Sequence, residues 1–252
     1  MSLPQKVRIL KYVAEQGVVT IGDINASLFE SDRTSTIRVT LHQMGVAHVK
    51  FGRIQYGVWY IEDPKLLGLL RTYCPDIPDF QVRPLLLYLV PHSLEINQIR
   101  TTLENSPQAN IIRWWSEAHI RALPLSMRAD MNNSKIPDAI FWRRRSDGGE
   151  QKYFLEYERS LKNKERYEDI FRFYAGRDDV GNRNVIYICE SEFIKSELED
   201  VEAKLARTGK LDSSGRCFQF ITREGFYKTY SNKPSKEEKH ECVKEVNSIA
   251  GV

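Results

Sequence analysis

Apolar positions recur at helical spacing from the start of the chain: Val7, Leu10, Val13 and Ala14 mark one amphipathic face that stops at Gly17. A short extended piece, residues 18–20, separates it from a second helix carrying Ile24 and Leu28. Asp32 or Ser31 is placed to cap a third, through Thr36, Ile37, Val39, Leu41 and Met44 to a stop at Gly45. The period then changes. Residues 46–51 and 55–61 are β-rich and flank Gly52-Arg53, the pattern of a hairpin. Three helices and a hairpin within about 60 residues follow the winged-helix order, a variant of helix-turn-helix docking.

Residues 63–93 predict a connector: a helix over 65–73, then Pro75, Pro78 and Pro84. Residues 85–90, Leu-Leu-Leu-Tyr-Leu-Val, are too short to span a membrane and fit either a buried strand or a linking element. Beyond them Leu94, Ile96, Ile99 and Leu103 mark another helix, and residues 111–120 hold Trp114, Trp115 and Glu117. Extended stretches at 136–142 and 153–158 flank a basic turn, 143–149. Helix, strand, helix and strand then alternate over 162–174, 184–189, 192–206 and 217–222, which predicts a mixed sheet covered by helices. The expected fold class is α+β, with domains at 1–62 and 94–230, the connector 63–93 between them, and a Lys/Glu-rich tail at 231–252.

Composition changes this picture little. Hydrophobic residues are 41% and charged residues 28%, ordinary for a globular chain. No apolar run nears the ~20 residues a membrane helix needs, and residues 1–10 lack a secretion signal, so membrane insertion is not expected and a cytoplasmic location is. The cysteines (Cys74, Cys189, Cys217, Cys242) form no CxxC pair. Net charge is only +3, so its distribution carries the information. Arg33, Thr34, Ser35, Arg38, Thr40 and Gln43 fall on the expected outer side of the third helix, and Lys50 and Arg53 near the hairpin tip. That suits a helix for the major groove and a basic wing for phosphates of duplex DNA; a solvated, protein-binding face is the other reading.

The chemistry-bearing residues are carboxylates. On one strand Glu156 and Glu158 share a face, with Leu155 and Tyr157 on the other. Asp138 lies on the expected neighbouring strand. Three converging carboxylates repel unless a cation compensates them, and hard ions such as Mg2+ or Mn2+ favour such oxygens. On the next helix Lys164 falls on the stripe of Tyr167 and Phe171, with Lys162 nearly opposite. Lys164 either faces the carboxylates or pairs with Glu168 one turn along. Tyr167 and Tyr174 invite a nucleophile reading, although both lie on the apolar stripe with Ile170 and Phe171. Arg143, Arg144 and Arg145 are candidates to grip backbone phosphates beside the carboxylates.

Pro137-Asp138 followed by Glu156-Tyr157-Glu158 resembles a degenerate PD-(D/E)XK nuclease core, with Glu158 where that pattern has lysine. Resemblance to branches whose lysine has moved to the following helix implies Lys164, and Glu117 resembles the extra acidic metal ligand of many such nucleases. Residues 92–97, 115–117, 136–138 and 154–160, with the helix ending at Tyr174, are similar to the replication-relaxation family and MobC-type relaxases. That resemblance implies metal-dependent nicking at a plasmid transfer origin: Asp138, Glu156 and Glu117 on the metal, Glu158 and Lys164 assisting, and accessory mobilisation and coupling proteins as partners. The alternatives are a non-enzymatic DNA-binding regulator of plasmid replication or transcription, and a restriction-like or repair nuclease.

Overall fold

In the computed structural model, which describes residues 1–52, 54, 57–124, 126, 135–177, 184–211 and 217–231, helix α1 (Leu3–Gln16) ends where Gly17 turns to φ 77°. Strand β1 (Val18–Val19) follows. Helix α2 (Ile21–Leu28) starts from a capping box: Thr20 N–H donates to Asp23 Oδ2 at 2.8 Å and Asp23 N–H to Thr20 Oγ1 at 3.0 Å. Helix α3 (Thr34–Met44) begins with Asp32 Oδ1 accepting Thr34 N–H at 2.9 Å and closes on Gly45 in the left-handed region. Strands β2 (Ala47–Val49) and β3 (Val58–Tyr60) complete a three-stranded antiparallel sheet in the order β1-β3-β2. Among the described residues the two strands of the hairpin are shorter than the sequence pattern predicts. Gly57 is required there, because a Cβ at its positive φ would strike the Val49 carbonyl oxygen.

Helix α4 (Pro64–Tyr73), capped by Asp63, places Leu66, Leu67 and Leu70 in the same core as Ile9, Val13, Ile24, Ile37, Leu41 and Trp59, and Phe80 joins them. The first unit thus takes in much of the stretch read as connector. Residues 85–90 form no buried strand: Leu87–Leu89 is a single 3-10 turn whose side chains, with Leu86, stand in solvent.

Helix α5 (Val90–Glu104) opens the second unit. Residues 111–120 divide into strand β4 (Ile111–Ser116) and helix α6 (Glu117–Ala122), with Ser116 capping the helix. Then come β5 (Ala139–Arg144), β6 (Glu150–Glu158), α7 (Lys164–Ala175), β7 (Val185–Cys189), α8 (Glu192–Arg207), β8 (Phe218–Thr222) and α9 (Arg223–Tyr230). The strands form one sheet in the order β4-β5-β6-β7-β8, antiparallel through β6 and parallel thereafter. The change of direction is forced by α7 and α8, each a crossover between parallel neighbours. Both helices cover one face, packing Phe171, Tyr174, Leu198 and Val201 against Phe154, Tyr187 and Phe218. On the other face Ile96 and Ile99 of α5 and Phe226 of α9 pack against Phe141, Leu155 and Ile188. The protein is therefore a mixed α+β structure with two sheets.

The two units meet across α1, α5 and α6. Asn97 Nδ2 donates to Val18 O at 2.7 Å, Ser116 Oγ to Glu15 O, and the Arg100 guanidinium lies over the Tyr12 ring, 5.1 Å from its centroid. Among the described residues no helix is long and apolar enough to cross a membrane.

Candidate carboxylate site

Asp138 stands just before β5. The β5–β6 register pairs Ala139 with Leu155, and extending it by one residue sets Asp138 opposite Glu156. Alternation along β6 sends Phe154, Glu156 and Glu158 to the α7 side, while Leu155 and Tyr157 enter the opposite core. The sequence expectation that these three acids share one end of adjacent strands therefore agrees with the geometry. Glu156 and Glu158 are each only 5% exposed.

The chain neutralises these charges itself. Lys135 Nζ donates to Glu156 Oε2 at 2.8 Å, and the Tyr174 hydroxyl donates to Glu156 Oε1. Lys162 Nζ donates to Glu158 Oε2 at 2.6 Å. His92 Nε2 lies 3.1 Å from Asp138 Oδ1, and Tyr157 N–H donates to Asp138 Oδ2 at 2.7 Å. Burial pushes the Glu156 carboxyl above its ordinary pKa and the Asp138 charge adds to this, with Lys135 offsetting part. Burial also opposes ionisation of Asp138, but His92, Lys135 and the Tyr157 N–H outweigh it and hold that carboxyl below its usual value. Burial works against a charge on His92 as well; its bond to Asp138 and the charges of Asp138, Glu117 and Glu156 raise it nonetheless. Lys135 follows the same pattern, desolvated yet raised by Glu156, Asp138 and Glu158.

Several expected residues are placed elsewhere. Lys164 is two-thirds exposed and pairs with Glu197 at 3.1 Å. Helix α7 begins only at Lys164, so Lys162 is not on its wheel and is free to turn back to Glu158. Tyr167 and Tyr174 are 1% and 0% exposed, and burial raises both hydroxyls far above neutral pH. Both are internal hydrogen-bond partners: Tyr174 donates to Glu156, and Tyr167 accepts the Lys162 N–H. Arg143, Arg144 and Arg145 do not lie beside the acids: Arg144 ends β5 and Asp138 precedes its start, roughly 20 Å of extended chain apart. Arg143 donates to Ala109 O and Gln108 O at 2.7 and 2.9 Å, and Arg145 binds Asp147. Glu117 approaches Asp138 through its backbone, its N–H donating to the Asp138 carbonyl at 3.0 Å, while its carboxylate bonds Arg121 at 2.6 Å.

In the first unit Arg33 and Arg38 are exposed on α3 with Ser35 and Gln43, Thr34 is half-buried at its start, and Lys50 is exposed after β2. Thr40 is 3% exposed and belongs to the interior instead, near Met1. Arg53 lies outside the described residues. Sequence reasoning missed Lys135 and Lys162 and gave His92 a local structural role. Lys135 sits three residues before Asp138 and Lys162 four after Glu158, and proximity to the acids was the available signal.

By the chemistry of its donors the set, two carboxylates on β6 and one just before β5, suits a hard divalent cation. Among the described residues, however, no group of three or more His, Cys, Asp and Glu side chains is arranged to hold a metal ion. The oxygens of Asp138 and Glu156 are taken by N–H and O–H donors of the protein. Comparison with protein-family models, with curated proteins and with solved structures returned no match.

Proposed function

We propose that the protein binds duplex DNA through its first unit and nicks one strand with the carboxylates of its second, in the manner of a replication-relaxation or MobC-type relaxase. On this reading residues 1–62 form a winged helix and the five-stranded sheet with its helices is a PD-(D/E)XK-like nuclease domain. One observation carries it: Asp138 and Glu156 face each other on neighbouring strands, Glu158 lies two residues on, and a nearly buried Lys135 stands among them. Burying four charged groups costs stability that apolar side chains would not. Such an expense is characteristic of reaction sites.

Asp138, Glu156 and Glu117 are the residues that would hold Mg2+ or Mn2+. Such an ion supplies polarisation of a phosphate oxygen and activation of water. Lys135 and Lys162 then offset charge building on the phosphate. Burial of Tyr167 and Tyr174 favours water as the attacking group: its oxygen joins phosphorus, one P–O bond to sugar breaks, and the released sugar oxygen takes a proton. Arg33, Thr34, Arg38 and Lys50 bind the duplex at a plasmid origin, and accessory mobilisation and coupling proteins bring it to transfer.

A second reading has its own support. Because every oxygen of Asp138 and Glu156 is bonded within the chain, the protein also suits a DNA-binding regulator of plasmid replication or transcription on a nuclease-like scaffold. Supercoiled plasmid carrying the native origin distinguishes them. We expect open circles with Mg2+ or Mn2+, none with EDTA, and none from Asp138→Ala. A band shift without nicking in any metal would leave the regulator, and equal cleavage of plasmids lacking the origin would favour a restriction-like or repair nuclease.

A further inference from the structure

The end of α3 and the strand after it bring two histidines together on the surface of the first unit. His42 stands in the last turn of α3, Gly45 turns the chain, and His48 is the middle residue of β2. Their ring centroids are 5.1 Å apart. Both rings rest on Trp59, each 4.8 Å from it: His48 is its partner across the β2–β3 ladder and stacks on it, while His42 meets it edge to face. Trp59 is 1% exposed and packed into the core, so it forms a fixed floor under the pair. Both histidines are exposed, and among the described residues no hydrogen bond occupies a ring nitrogen of either.

We propose that His42 and His48 chelate one borderline transition-metal ion of the Zn2+, Ni2+ and Cu2+ class. Neutral imidazole is a favoured ligand of these ions, whereas Mg2+ and Mn2+ seek oxygens. The spacing agrees with chelation. A metal about 2.1 Å from a ring nitrogen lies about 3.2 Å from the centre of that ring. Two imidazoles that meet it at an angle between square and tetrahedral then have centres about 4.5–5.2 Å apart. The pair stands within that range. The ring torsion of histidine is broad, which lets both nitrogens turn toward a common point while the backbone stays in place. Trp59 restricts the rings in other respects, so less freedom is lost when the ion binds.

Two protein ligands leave the other coordination positions to water, and binding is weaker than at a closed four-ligand centre. The ion joins the end of α3 to β2. It binds that folded arrangement and not the unfolded chain, so it stabilises the first unit. The site shares no residue with the carboxylates, and neither DNA nor nicking enters its test.

Calorimetric titration of the full chain with ZnCl2 near neutral pH tests it in the wild-type protein, His42→Gln, His48→Gln and the double variant. Glutamine keeps these exposed positions polar, and circular dichroism checks that each variant is folded. Each single substitution should weaken one bound equivalent at least about tenfold, and the double variant should lose that equivalent. Zn2+ held elsewhere in the chain, the carboxylates included, ignores both substitutions and is counted apart. Excess Mg2+ should leave the equivalent bound. Cu2+ offers a second readout: it should quench the emission that Trp59→Phe removes, and quench it far less in the double histidine variant. The same number of equivalents in wild type and double variant, displacement of the equivalent by Mg2+, or quenching of Trp59 that ignores both substitutions would each overturn the proposal, whatever the nicking assay shows.

Discussion

The first unit closes its core around Ile9, Val13, Ile24, Ile37 and Leu41, all 0% exposed, and sends Arg33, Arg38 and Lys50 outward. The second unit packs an equally apolar sheet, yet at the Asp138 end it draws Glu156 and Glu158 inside and follows them with Lys135 and Lys162. A fold that needed only stability would have finished this end as it finished the first unit, since replacing buried ion pairs with apolar groups is often neutral or stabilising. The contrast teaches where to look for function. On the proposed function the first unit would act from its surface, and the second from inside, where function and stability are coupled.

The largest effect should come from breaking that coupling on one side. Lys135→Met leaves Glu156 opposite Asp138 without its ammonium, and we expect a loss of about 3 kcal/mol in urea denaturation, at the low end for a broken buried pair because Glu156 can take up a proton. An unchanged midpoint would mean that the pair contributes nothing and the contrast between the units is superficial.

A pH series sharpens the comparison from the seam. His119 stacks on Trp115 at 5.2 Å, and burial together with the charges of Lys11 and Arg100 lowers its pKa to about 4. A depressed imidazole favours folding above its unfolded pKa of about 6.5 and withdraws that contribution as pH falls toward 4. Stability should therefore decline over that window in the wild-type protein and decline less in His119→Phe. Parallel curves would remove His119 from the balance.

Surface substitutions in the first unit should separate what the second couples. Arg33→Ala and Arg38→Ala should each leave stability within about 0.5 kcal/mol of wild type. Each should weaken DNA binding and reduce its salt slope by about 1, read by fluorescence anisotropy at several salt concentrations. Binding that keeps its slope would place the DNA elsewhere. The smallest effect is expected at Lys164, whose exposed pair with Glu197 is worth under about 1 kcal/mol. Lys164→Ala should leave nicking as it is, and a loss would return that lysine to the chemistry.

The parts of this architecture governed by neighbours in sequence were legible there. Gly17 and Gly45, read as helix stops from the residue order, end α1 and α3 in the structure. Strand alternation put Glu156 and Glu158 on one face, and the hairpin put Asp138 beside them. Residues whose roles depend on where an element begins were misjudged. A helical wheel run back past Asn163, the N-cap of α7, turns Lys162 outward, whereas the chain bends before the cap and brings it to Glu158; Lys164, the first residue of α7, does lie on the wheel but reaches across to Glu197 of α8 and not to the acids. Arg143 to Arg145 looked close to the acids because the turn is close in sequence, but an antiparallel pair puts its turn at the far end. The seam was beyond reach: Asn97 and Val18 are 79 residues apart, and no local period announces their bond.

The most direct test of the claim that this buried charge serves chemistry is the double variant Glu156→Gln/Lys135→Met, with unfolding and plasmid nicking measured on the same preparation. We expect stability at or above that of the wild-type protein, because both charges leave together, and no conversion of supercoiled DNA to open circles in Mg2+ or Mn2+. A double variant that still nicks would contradict the assignment of Glu156 to the reaction, and one that unfolds as badly as Lys135→Met alone would show the pair to be structural.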